Sequence, residues 1–99
     1  MLFGNKLREL REQNGLVLRK VAAVLDIDTA TLSKIELGDR QAKREYLPIL
    51  SELYGVNLKE LEKFWLTDKV YDIIEEEEQG LNVLKEAAIF YKKSQKVHQ

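Results

Sequence analysis

The residues of this sequence best suited to a chemical task are Thr29, Ala30, Ser33 and Lys34, with Thr31 a more ambiguous neighbour. Leu32 and Ile35 alternate with them at helical spacing and point inward, so the others are left on the outer surface of a short helix. They offer an ammonium donor, hydroxyls that donate or accept, and small methyl groups. That set can recognise a ligand, but it holds no nucleophile paired with a base. Elsewhere the means of catalysis are sparse. Cysteine is absent, and His98 stands one residue from the end of the sequence, where a triad or metal cluster is hard to build. Glu75 to Glu78 lack the spaced ligands and turn glycine of a calcium loop and read as a solvated helix face. The glycines are scattered and form no phosphate cradle. Phe64 and Trp65 lie in an apolar segment at helical spacing and read as core, not as a platform for stacked bases. The expectation is a protein with no enzymatic activity, no cofactor and no metal.

Charge points to a partner. The 99 residues carry a formal net charge of -1, but the distribution is uneven. Residues 1–44 hold nine Lys/Arg against six acids, giving +3, and residues 45–99 hold seven Lys against eleven acids, giving -4. Attraction of phosphate follows the local field, so the first half is the candidate contact surface and the acidic second half is better suited to protein. The sequence has no leader-like start and no apolar run approaching a membrane span, which with the absence of cysteine makes the cytoplasm the expected location.

The elements that must position these residues are all helices. Apolar residues recur at steps of three and four, without period-2 runs. Phe3, Leu7 and Leu10 mark a helix over 3–13 that stops at Asn14-Gly15. Leu18, Val21, Ala22 and Leu25 mark a second over 18–25. Asp26-Ile27-Asp28 forms a tight turn with Asp28 placed to cap the third helix, 29–37, which Gly38 ends. A polar loop leads to a fourth helix over 44–54, in which Pro48 is tolerated near the first turn. Asn57 caps a fifth over 58–65, whose Leu58, Leu61, Phe64 and Trp65 complete a five-helix core. Thr67-Asp68 then looks like a new cap for the segment carrying Val70, Tyr71, Ile73 and Ile74. After Gly80, the stripe of Leu81, Leu84, Ala87, Ala88 and Tyr91 predicts a last helix over 81–93. The division expected is a domain over 1–66 and a helical extension over 67–99.

A helix, a three-residue turn and a second helix with small polar outward side chains fits the DNA major groove, although helix pairs of this kind also exist only for packing. The stretches Leu7-Arg8-Glu9-Leu10-Arg11, Gly15-Leu16, Val21-Ala22 and Leu32-Ser33-Lys34-Ile35-Glu36-x-Gly38 resemble the Cro/phage-repressor (Xre-type) helix-turn-helix family over about residues 3–66. The resemblance implies a five-helix repressor-like domain whose third helix enters the major groove, commonly as a homodimer on a palindromic operator. It places Thr29, Ala30 and Lys34 toward base edges with Ser33 close by, and their chemistry agrees: lysine donates to guanine O6 or N7 and a methyl meets the thymine methyl. It also pairs Arg11 with Glu36 as an ion pair tying the first helix to the end of the third.

Two departures bear on the contacts. Many family members open the second helix with Thr/Ser-Gln, where this sequence has Val17-Leu18, so that phosphate contact does not transfer; Arg19 or Lys20 is our substitute. The usual turn glycine is Asp26, which adopts positive φ at some cost. Arg40, Lys43 and Arg44 in the loop after Gly38 are read as a group of phosphate clamps that set affinity without setting sequence choice. The apolar stripe of the extension exceeds what a five-helix domain needs and calls for cover, either by folding back or, as we favour, by dimerisation. The expected function is a dimeric, sequence-specific transcriptional regulator of double-stranded DNA, resembling a repressor or a restriction-modification controller. The alternative is a protein-interaction module, such as an antitoxin or bridging factor, on the same fold.

Overall fold

A computed structural model describes residues 1–97, so His98 lies outside the described residues. Within them the chain forms α1 (Leu2–Gln13), α2 (Leu18–Leu25), α3 (Thr29–Leu37), α4 (Tyr46–Tyr54), α5 (Leu58–Ile74) and α6 (Gly80–Val97), with no strand. It divides into two compact units, Met1–Asp68 and Lys69–Gln99.

The first unit encloses one core. Phe3, Leu7 and Leu10 of α1, Val21, Ala22 and Leu25 of α2, Leu32 and Ile35 of α3, and Leu47, Leu50 and Tyr54 of α4 are all buried. Leu61 and Trp65 of α5 join the same cluster. Trp65 brings its polar edge inside and satisfies it by donating from Nε1 to the Ala42 carbonyl at 2.8 Å. The packing of α1 on α3 depends on Gly4, where a Cβ would lie 2.5 Å and 2.6 Å from the carbonyl oxygens of Ile35 and Glu36. Those are backbone atoms, so any larger residue drives the two helices apart.

Local chemistry sets most helix ends. Asp26 closes α2 in the left-handed region at φ 57°, a conformation aspartate reaches more readily than most residues. Asp28 opens α3 by accepting from the Thr31 amide at 2.6 Å. Gly38, at φ 84°, ends α3. Pro48 is the third residue of α4, within the first turn, where no intrahelical acceptor waits for an N–H.

α5 departs from expectation. It does not stop at 65, and Thr67-Asp68 does not start a new helix; the helix continues to Ile74. Thr67 donates its hydroxyl to the Lys63 carbonyl one turn back, at 2.7 Å. Asp68 does cap a helix, but a distant one: its carboxylate accepts from the amides of Leu2 and Phe3 at 3.0 Å and 2.9 Å, at the start of α1. Met1 supplies no side-chain cap there, so the free amides of α1 find their acceptor 65 residues away.

In the second unit the end of α5 and α6 are joined by a turn in which Glu77 donates its amide to the Ile74 carbonyl at 2.9 Å. Gly80 is buried against Ile74. The α6 residues from Leu81 to Lys93 are all exposed, including Phe90 at 71% and Leu81 at 66%.

Candidate nucleic-acid interface

α3 has one buried side and one open side. Leu32, Ile35 and Glu36 are buried, while Thr29, Ala30 and Lys34 are exposed and Ser33 is half-buried. Positions 29, 30, 33 and 34 fall on a single helical face. Leu37, which the sequence reading did not include, falls on that face too, one turn beyond Ser33, and is 61% exposed. Its spacing was the available signal, obscured because an apolar residue at a helix end looks like core. Thr31 is half-buried and occupied with Asp28, whose carboxyl is held below the ordinary carboxylate range. The hydrogen bond with the Thr31 side chain is the largest cause, the Thr31 amide adds to it, and the positive charges of Arg40 and Lys34 contribute.

Rigidity of this face comes from behind it. Glu36 is only 6% exposed, and Arg11 grips both its oxygens, Nε to Oε2 at 2.9 Å and Nη2 to Oε1 at 3.1 Å. Nη1 of Arg11 also donates to the Leu16 carbonyl at 3.0 Å, so one guanidinium joins α1, the loop before α2 and α3. These bonds to Glu36 raise the Arg11 pKa beyond its already high value. Tyr54 of α4 shares the region. Burial, reinforced by the Glu36 charge, pushes its phenol up to about 12, against an opposing effect of Arg11.

The cations proposed to meet phosphate fall into two groups. Arg19 and Lys20 stand exposed in the first turn of α2, and Arg40 and Lys43 are exposed in the loop that follows α3. The Arg40 amide donates to the Lys34 carbonyl at 3.3 Å, fixing the loop to the end of α3. Arg44 differs: it pairs with Glu62 at 3.2 Å and lies 5.3 Å from the Trp65 ring centroid. Part of its charge is therefore engaged within the protein. Among the described residues, no three His, Cys, Asp or Glu side chains converge as metal ligands would. No described helix is long and apolar enough to cross a membrane.

A short helix entered through a capped three-residue turn, open on one side and clamped to α1 on the other, defines a class of fold, the helix-turn-helix domain. Residues 2–64 match the helix-turn-helix domain family, and the chain belongs to it, in keeping with the Cro/phage-repressor resemblance of its motifs. Over 61 residues it is 36% identical to the HTH-type transcriptional regulator DdrOP3 of Deinococcus deserti. The aligned stretch is 62% of this chain and 47% of that protein, so the chain spans about half the length of the curated relative it matches. No solved structure matches it.

Proposed function

We propose that this protein is a sequence-specific transcriptional regulator that binds double-stranded DNA as a homodimer and lays α3 in the major groove. The observation that carries the reading is the open face of a capped, clamped helix: Thr29, Ala30 and Lys34 stay exposed while the opposite side is fixed through Glu36 and Arg11. A rigid donor and acceptor set on a helix is what reading base edges requires. Lys34 donates to guanine, Ala30 and the Thr29 methyl meet thymine, and Ser33 supports them. Arg19 and Lys20 at the start of α2, and Arg40, Lys43 and the partly engaged Arg44 in the loop after α3, hold phosphates and fix the register. Membership of the family and similarity to a protein named as a transcriptional regulator support the same reading. With two-fold symmetry the operator is palindromic, its half-sites about 34 Å apart, and a repressor or controller role follows from occupying a promoter.

Selection from random duplexes tests this and should enrich a palindrome. On the selected site, Lys34→Ala lowers discrimination at one half-site position by about 1–3 kcal/mol, whereas Arg40→Ala weakens all sequences alike and reduces the salt slope by about one. Uniform loss of affinity in both variants overturns the assignment of α3. Enrichment of no sequence points instead to a protein-interaction module.

A further inference from the structure

We infer, resting on the DNA reading above, that Leu37 is a further specificity-determining residue of α3 and meets the C5-methyl group of a thymine in the major groove. Of the three large apolar side chains of α3, Leu32 and Ile35 are buried at 1% and 3% exposure, whereas Leu37 is 61% exposed. An exposed leucine by itself is ordinary at a protein surface. Its direction is what matters here. At about 100° per residue, Leu37 lies only about 20° from Ala30 around the helix axis, with Ser33 about 60° from Ala30 to one side and Lys34 about 40° to the other. Leu37 therefore stands in the middle of the open face and not at its margin.

The chain on either side holds Leu37 within the contact region. Ser33 and Lys34 precede it by one turn, and Asp39 and Arg40 follow it, both donating their amides to the Lys34 carbonyl at 2.9 Å and 3.3 Å. A helix that brings Ala30 and Lys34 to base edges while Arg40 takes a phosphate covers Leu37 as well. What DNA offers there selects the contact. Leucine has no donor for a phosphate oxygen, and the carbonyl end of α3 carries the negative pole of the helix dipole, which disfavours phosphate. On the major-groove edges of the bases, the apolar group is the C5-methyl of thymine. Leu37 follows Ala30 by about 10.5 Å along the helix axis, so the two meet bases within about three base-pair steps of each other.

Deoxyuridine pairs as thymidine does but lacks the methyl group, so replacing the thymines of the selected operator one at a time reads this contact directly. At one thymine in each half-site the unaltered chain should lose affinity by about fourfold, the worth of one buried methyl group. Leu37→Ala should bind the unmodified operator more weakly, be indifferent to that replacement, and respond as before at every other thymine. Leu37→Met keeps an apolar side chain of similar size and should retain the sensitivity. Because Leu37 is exposed and alanine is a good helix former, urea unfolding of Leu37→Ala should match that of the unaltered chain, which separates lost contact from lost fold. Equal sensitivity to deoxyuridine at every thymine in the unaltered chain and in Leu37→Ala, as when Leu37 lies over the sugar-phosphate backbone, overturns this assignment. The reading of α3 then stands if Lys34→Ala still relaxes one position. Selection that enriches no sequence overturns base readout as a whole, and Leu37 with it.

Discussion

Glu36 is an acid in the core of the domain, and its place there depends on Arg11. A buried carboxylate is costly unless its charge and lone pairs are met, and Arg11 meets both oxygens at 2.9 Å and 3.1 Å. Arg11→Met strands the Glu36 charge and should lower stability by about 3 kcal/mol or more in urea unfolding. Pairing it with Glu36→Leu removes the stranded charge and should recover most of that loss, leaving the Leu16 carbonyl without its donor. An equally unstable double variant refutes the ion pair as the cause. Tyr54 makes a prediction about pH. Its phenol ionises at about 12 in the folded chain and at about 10 when unfolded, so the unfolded state loses its proton first. The stability concerned is intact below pH 10 and falls as pH rises from 10 to 12, by up to about 2–3 kcal/mol. Tyr54→Phe should shrink the difference between urea midpoints measured at pH 9.5 and 11.5, and an unchanged difference assigns the loss to other groups.

At the scale of elements, α1 is what holds α3 in place, and α1 is itself capped from α5. Asp68→Ala leaves the Leu2 and Phe3 amides without their acceptor and should cost about 1 kcal/mol, with faster hydrogen exchange in the first turn of α1 and unaltered base preference. Slower or unchanged exchange there shows that the cap is idle. The same residue marks where reading the sequence stops working. The ends of α2 and α3 were legible because Asp26, Asp28 and Gly38 act within a few residues of themselves. Thr67-Asp68 carries the local signature of a helix start, but its carboxylate serves a helix 65 residues away, and nothing along the chain distinguishes the two uses. The close approach at Gly4 was hidden likewise, since a glycine within a helix signals weak propensity and not which backbone comes near it.

For the whole molecule, the proposed dimer links two weak half-site contacts into one strong one. A chain ending at Ile74, which keeps α5 whole, should be monomeric by light scattering and should lose operator affinity by a factor of about 10²–10⁴, with half-site base preference retained. A truncated chain that stays dimeric removes α6 from the interface. The formal net charge of -1 does not oppose DNA binding under this reading, because residues 1–44, which hold α3 and the cations proposed for phosphate, carry +3 while the acids lie mainly in residues 45–99.

By itself the sequence determined the all-helical class, the capped turn before α3, the family and the exposure of Thr29, Ala30 and Lys34 on α3, since each is written in spacing and in caps acting over a few residues. Only the tertiary structure decided that α5 runs on to Ile74, that Asp68 caps α1, that Gly4 admits two carbonyls of α3, and that Arg44 is drawn toward Glu62 and Trp65. Those outcomes are set by which distant backbone amide, carbonyl or ring arrives beside a side chain, and that proximity exists only once the core has closed.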